Sequence, residues 1–209
     1  MNPFIAQLKE ALQGPLPGAQ AQYQMAHLER RFMPDPPADV RIACVMALLF
    51  PREGNWQLTL IRRQARDPRD AHAGQIGFPG GKQEPADPSL AYTALREVEE
   101  EIGVPASHIE VLGQLSQLYI PVSNFLVHPF VGYLTEEPNF VPQEEEVSEV
   151  LDVPFHYLTN PHIRKKTTVK VANRFELNDV PYFDIHGQVL WGATAMMLNE
   201  LLELTKQPA

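Results

Sequence analysis

Residues 81–104 read GKQEPADPSLAYTALREVEEEIGV, and the helical phase of this stretch carries the rest of the reading. A helix is expected from about Pro88 to Ile102, with Asp87 able to cap it, Pro88 suited to its first position and Gly103 to its end. At 100° per residue, Leu90, Ala91, Ala94, Leu95, Val98 and Ile102 form one apolar stripe. Glu97, Glu100 and Glu101 share an arc of about 100° beside that stripe, while Glu99 points away from them. Carboxylates spaced i, i+3 and i+4 repel one another, and the C-terminal end of a helix already disfavours anions. A solvated acidic face accounts for Glu99 but not for a convergent triple at the wrong end of the dipole. A bound divalent cation accounts for it, because Mg²⁺ takes oxygen ligands and its charge removes the repulsion. Arg96 lies beside Glu100 on the same surface and can orient or partly neutralise the cluster.

Just upstream, FPGGK at 78–82 offers sharp turns and backbone N–H groups free to approach an anion. A Gly-rich loop alone is weak evidence. Coupled to a carboxylate cluster some fifteen residues on, it suggests a metal-bound phosphate site.

Working outward, RIACVMALLF (41–50) reads as a buried strand, and Gly54-Asn55 as a turn into a second strand, WQLTLIRR (56–63). Residues 1–40 read as a helical, proline-punctuated extension in which Phe4, Ile5, Leu8 and Leu12 share a face; residues 41–209 form the main domain. Downstream, IEVLGQLSQLYI (109–120) and FLVHPFVGYL (125–134) read as strands. TTVKVANRFEL (167–177) and VPYFDI (180–185) are expected to pair around Asn178-Asp179, and Leu190–Leu204 to form a final amphipathic helix. Strands interspersed with helices mean an α/β or α+β fold.

Composition narrows the function classes. The chain has 209 residues with 20 Pro and one Cys, and a net charge of −9. An acidic chain is a poor non-specific binder of nucleic acid and needs local cations wherever it meets phosphate. A single Cys excludes an internal disulfide framework and a cysteine-based zinc site. The longest apolar run, Ala43–Phe50, is far short of the ~20 residues of a bilayer span. The N-terminal sequence has no basic stretch leading into an apolar one, so a cytoplasmic protein without membrane contact is expected.

The segment Gly81–Val104 resembles the signature box of the Nudix hydrolases. Arg96, Glu97, Val98, Glu100, Glu101, Gly103 and Val104 match the second half of that pattern residue for residue. The first half departs: Pro88 stands where the pattern has Glu, glycine falls one position early at 81, and Glu84 and Asp87 are the acids available to support Arg96. This form resembles the coenzyme A pyrophosphatase branch, in Gly80-Gly81-Lys82-Gln83-Glu84, Asp87 and Thr93–Glu97. The branch's upstream motif is similar to Arg63…Arg69…His72-Ala73-Gly74-Gln75-Ile76-Gly77-Phe78-Pro79-Gly80-Gly81, with a longer spacing from Arg63 to His72. YIPVSNFLVHPFVGYL, EVSEV and WGATAMML extend the similarity through most of residues 40–205.

The resemblance implies a Nudix α/β/α sandwich with a mixed central β-sheet, here with an N-terminal helical extension. It implies hydrolysis of a phosphoric anhydride in a nucleoside diphosphate derivative, with coenzyme A favoured and 3′,5′-ADP and 4′-phosphopantetheine as products. Glu97, Glu100 and Glu101 would hold Mg²⁺ or Mn²⁺, and Glu100 or Glu146 would position or deprotonate the attacking water, with Arg96 orienting the cluster. Arg63, Arg66, Arg69, His72, Gln75, Gly80 and Gly81 are the candidate substrate-binding residues. Alternatives remain open: ADP-ribose, a dinucleotide or a nucleoside triphosphate as substrate, or a non-catalytic nucleotide sensor. Ser123-Asn124 lack a His–acid partner set for a hydrolase triad, and Arg164-Lys165-Lys166 read as loop charges. The apolar C-terminal helix face and the N-terminal helices point to a homodimer.

Overall fold

A computed structural model of the chain describes residues 2–27, 35–64, 74–171 and 175–206. At its centre is β1 (Arg41–Arg52), which pairs antiparallel with β2 (Asn55–Arg63) and parallel with β7 (Phe125–Tyr133). Among the described residues the strands form a mixed sheet in the order β3 (Ile76–Gly77), β2, β1, β7, β5 (Glu110–Gln114). Three more strands join it: β4 (Gly80–Lys82) on β1, β6 (Leu118–Ile120) on β7 and β8 (Val147–Pro154) on β2, the last running into the short helix α4 (Phe155–Leu158). The expected strand 109–120 is therefore two strands, β5 and β6, that both pair with β7.

The period-2 alternation of β1 builds the layers. Ala43, Val45, Ala47 and Leu49 face one core, which includes Ile5 and Leu8 of α1 (Pro3–Ala11) and Ala195, Leu198 and Leu201 of α5 (Gly192–Leu204). Cys44, Met46, Leu48 and Phe50 face the other, against Ala94, Val98 and Ile102 of α3 (Leu90–Ile102). The result is an α/β/α sandwich with N-terminal helices. Asn2 caps α1 by accepting from the Phe4 N–H at 2.9 Å, with Pro3 at the first helical position. Ile5 and Leu8 are fully buried, each contributing roughly 1.5–3 kcal/mol of gross stabilisation, which ties this first helix into the main core.

Several local expectations are corrected. The β1–β2 turn is Glu53-Gly54 rather than Gly54-Asn55: Arg52 pairs with Asn55, and both turn residues have positive φ (49° and 79°), the geometry of a two-residue hairpin turn. Helix α3 begins at Leu90, capped by Ser89, because the Asp87 carboxylate is engaged elsewhere. In the three-stranded antiparallel sheet, β9 (Arg164–Val171) pairs with β10 (Phe175–Ile185), and β10 pairs with β11 (Gln188–Trp191). Asn178-Asp179 is a bulge inside β10, with Asp179 at φ 55°, and not the turn between strands.

The last helix is also not amphipathic. Residues 195–202 of α5 are buried, including Asn199 and Glu200 at 0% exposure. Its second face is covered by α2 (Gly18–Gln22) and the 3₁₀ turn Tyr23–Met25. The apolar face from which a homodimer was expected is thus filled from within the chain. Among the described residues no helix is long and apolar enough to cross a membrane.

Candidate active site

The C-terminal half of α3 meets β4, and that junction assembles the acidic residues singled out from the sequence. Arg96 is its hub. Its Nε and Nη2 donate to the two oxygens of Asp87, each at 3.1 Å, a bidentate pair on a side chain only 16% exposed. Nη2 also donates to the Lys82 carbonyl at 3.1 Å and lies 3.0 Å from Glu97 Oε1, while Nη1 donates to Glu100 Oε2 at 2.6 Å. Of the two acids available to support Arg96, the structure uses Asp87, whose Oδ2 also accepts from Thr93 Oγ1 and the Glu84 N–H. The Arg96 guanidinium holds the Asp87 carboxyl down to about 2.

The three helix carboxylates occupy three different environments. Glu101 is buried at 2% exposure, accepting from the Gly80 N–H at 2.7 Å, with Arg63 Nη1 at 3.6 Å. Burial pushes its carboxyl up to about 8, against the opposing pull of the Gly80 N–H and Arg63. Glu97 is mostly buried and its carboxyl is likewise raised by burial, with the charges of Glu100 and Glu146 adding to the effect. Glu100 is half exposed. Glu146 stands in the exposed turn before β8, anchored by Gln64 N–H donating to its carbonyl at 2.7 Å, and its charge reaches both Glu97 and Glu101. Glu99 points off this site, as the helical phase requires, and accepts from the Ala106 N–H at 3.1 Å.

The glycines explain how the loop approaches the carboxylates. A Cβ on Gly81 would fall 2.6 Å from Glu97 Cδ, so only glycine lets β4 lie against that side chain. A Cβ on Gly80, whose φ is 148°, would strike Val45 Cα at 2.5 Å and the Cys44 carbonyl. Cys44 itself is fully buried opposite Gly81, and burial pushes its thiol up to about 11, which leaves it without thiolate reactivity.

The donor chemistry fits a hard divalent cation. Every candidate ligand is a carboxylate oxygen, and two of the carboxylates carry a burial penalty that a cation would relieve. Among the described residues no three His, Cys, Asp or Glu side chains form a ready-made metal cluster, and Arg96 pairs with both Glu97 and Glu100.

Beside the glycines opens a cavity of about 520 Å³, within the range of small-molecule sites. Gly80, Gly81, Arg63 and Gln75 line it together with mainly apolar side chains, among them Met25, Met196 and Met197. The structure thus brings Arg63, Gln75, Gly80 and Gly81 to one place. Arg66, Arg69 and His72 lie outside the described residues. Arg62, from the same basic run, is committed to the fold through Glu149 at 3.2 Å, the Gly74 carbonyl and Gln188. Arg164 and Lys165 likewise pair internally, with Asn199 and Asp184. The cavity walls from residues 25–27 and from α5 were not signalled in the sequence: they meet the glycine loop across more than fifty residues of chain, with no local motif to mark them.

The environments of the glutamates give a first expected result. Glu99→Gln retains an acceptor for Ala106 and touches nothing in the site, so kcat/KM should stay within about twofold of the parent. A loss as large as that of Glu100→Gln in the same assay would contradict this geometry.

The NUDIX domain family matches residues 40–173. The chain is 36% identical over 158 residues to an uncharacterised Nudix hydrolase, NudL, of Yersinia enterocolitica, covering 75% of this chain and 79% of that protein. The corresponding NudL of Yersinia pestis is 35% identical over the same length, covering 75% and 77%. Among solved structures, the Nudix hydrolase RenU of M. smegmatis superposes with a TM-score of 0.55 at 16% identity, covering 79% of this chain and 86% of that one. The MutT protein of Methanosarcina mazei Go1 superposes with a TM-score of 0.52 at 18% identity, covering 84% and 100%. At these identities the structural matches speak for the fold alone.

Proposed function

The chain belongs to the Nudix hydrolase family, and from that premise we propose that it cleaves the pyrophosphate bond of coenzyme A to 3′,5′-ADP and 4′-phosphopantetheine. The observation that carries this reading is the junction of the buried Glu101 and mostly buried Glu97 with the Gly80-Gly81 loop, which also lines an apolar cavity. Charged diphosphate chemistry belongs at the loop, and an uncharged substituent belongs in the cavity. The Asp87–Arg96 pair supports the coenzyme A branch, since it supplies the support for Arg96 from the position at which that branch carries Asp.

Glu97, Glu100 and Glu101 are the residues to hold Mg²⁺ or Mn²⁺. Such a cation, when bound, neutralises charge on the phosphate oxygens and the leaving group. Arg96, locked by Asp87, fixes the rotamers of Glu97 and Glu100. Glu146 takes the proton from the attacking water, because its carboxylate is exposed and within electrostatic reach of Glu97 and Glu101, whereas Glu100 is tied to Arg96. Arg63 receives the diphosphate at the cavity's edge, with Gln75 and the Gly80-Gly81 loop beside it; Arg66 and Arg69 are assigned to the 3′-phosphate and His72 to the substrate on the sequence alone. Nothing in this scheme needs a second copy of the chain.

A hydrolysis panel tests the proposal: coenzyme A, ADP-ribose, NADH and nucleoside triphosphates, each with Mg²⁺, with Mn²⁺ and with chelator. Coenzyme A should show the highest kcat/KM, and chelator should abolish turnover on every substrate. A preference for ADP-ribose or a triphosphate would overturn the substrate assignment. Binding without turnover under all conditions would favour a nucleotide sensor.

A further inference from the structure

The cavity beside Gly80-Gly81 has a wall supplied by the N-terminal segment, where Met25, Ala26 and His27 line it. That wall is held from behind by two polar residues of α5 with no exposure to solvent. Glu200 accepts from the Gly18 N–H at 3.1 Å, the Ser116 N–H at 3.1 Å and Gln22 Nε2 at 2.8 Å. Asn199 Nδ2 donates to the Ala21 carbonyl at 2.8 Å and to Gln24 Oε1 at 3.3 Å. A carboxylate buried at 0% exposure with three N–H donors is costly to disturb, since any donor that leaves exposes an uncompensated charge. Helix α2 has only five residues and the 3₁₀ turn three, too few to hold their own shape in water. Their position therefore depends on α5.

We propose that residues 18–27 form the specificity wall of the substrate cavity, receiving the uncharged arm on the second phosphate, with Asn199 and Glu200 as the residues that position it. The inference rests on the reading of the cavity as the substrate site. The character of the lining selects the arm over the nucleoside. Met25 of the wall and Met196 and Met197 of α5 face the same space, and unbranched thioether side chains adapt to a flexible chain better than to a rigid planar base. The cationic Arg63 and Lys82 line the cavity beside the glycine loop, whose Gly80 N–H is already given to Glu101, so the charged half of the substrate stays with those cations.

The experiment compares coenzyme A with the β-methyl ester of 3′-phospho-ADP, which has the same nucleotide and diphosphate but a methyl group in place of the arm. Met25→Ala should raise KM for coenzyme A about tenfold through lost apolar contact, with kcat unchanged and kcat/KM for the methyl ester unchanged. Glu200→Gln touches no substrate and should reproduce the same selective pattern by loosening the wall. Equal losses on both substrates, in either folded variant, would overturn the proposal, because the wall would then serve the nucleoside or the fold. If the parent enzyme cleaves the ester but not coenzyme A, the substrate assignment has failed. The wall is then tested with the same variants on ADP-ribose against ADP β-methyl ester: a loss confined to ADP-ribose supports it, and equal losses overturn it.

Discussion

Glu101→Gln should lower kcat at least about a hundredfold while making the metal-free protein more stable at pH 8 and no more stable at pH 4. The two effects have one cause. In the folded, metal-free chain burial raises the Glu101 carboxyl from its ordinary range to about 8, whereas the unfolded chain releases that proton near 4.5. Between those values the folded state binds the additional proton, so stability is fully present below about 4.5 and is lost as pH rises through about 8. A glutamine carries no such charge, keeps an acceptor for the Gly80 N–H, and removes that slope. The gain above pH 8 should be about 1–3 kcal/mol, read as a rise in melting temperature in chelator. Adding Mg²⁺ should stabilise the parent more than the variant, narrowing or reversing the difference. Full activity of Glu101→Gln in Mg²⁺ would remove Glu101 from the site, and melting curves that run parallel across pH would contradict the burial of an ionisable group there.

The adjacent glycines should fail in opposite ways. Gly81→Ala places a methyl group against the Glu97 carboxylate, the far end of a flexible side chain that can give way at the cost of its Arg96 contact. The fold should survive with a loss of about 1 kcal/mol or less. Turnover should drop by roughly a hundredfold or more, because Glu97 is moved from its place in the proposed metal site. Gly80→Ala instead drives a methyl group into the Val45 backbone at a φ that side chains avoid, so β4 must detach from β1 or the strand must shift. A destabilisation of about 3 kcal/mol or more is expected, measured by denaturant unfolding. A stable but inactive Gly80→Ala, or an unfolded Gly81→Ala, would show that the two positions are assigned the wrong way round.

Why the sequence placed the helix glutamates better than their surroundings follows from the range of each signal. The glutamate phase on α3 is local, fixed by 100° per residue, and Glu97, Glu100, Glu101 and the outward Glu99 lie where it puts them. The β1 alternation is equally local and produces the two cores. The choice of Asp87 over Glu84 as partner of Arg96 was not readable, because it depends on how the loop before α3 folds back onto Lys82. The amphipathic reading of α5 failed for a related reason. Asn199 and Glu200 look like a solvent face until residues 18–24, 175 to 182 positions away, supply hydrogen-bond partners. The pairing of β9 with β10 was misjudged because a bulge at Asp179 carries the sequence signature of a turn.

Cys44 gives the protein a built-in clock. It is the chain's one cysteine, has no solvent exposure and points from β1 into the core under α3, one strand away from Gly81. A sulfhydryl reagent can reach it only when α3 lifts from the sheet, so the rate of modification measures how often that layer opens. Ligands that bridge α3 and the Gly80-Gly81 loop at the proposed site should hold that layer closed. Their affinity can therefore be read from slowed labelling, in the intact protein and without any turnover.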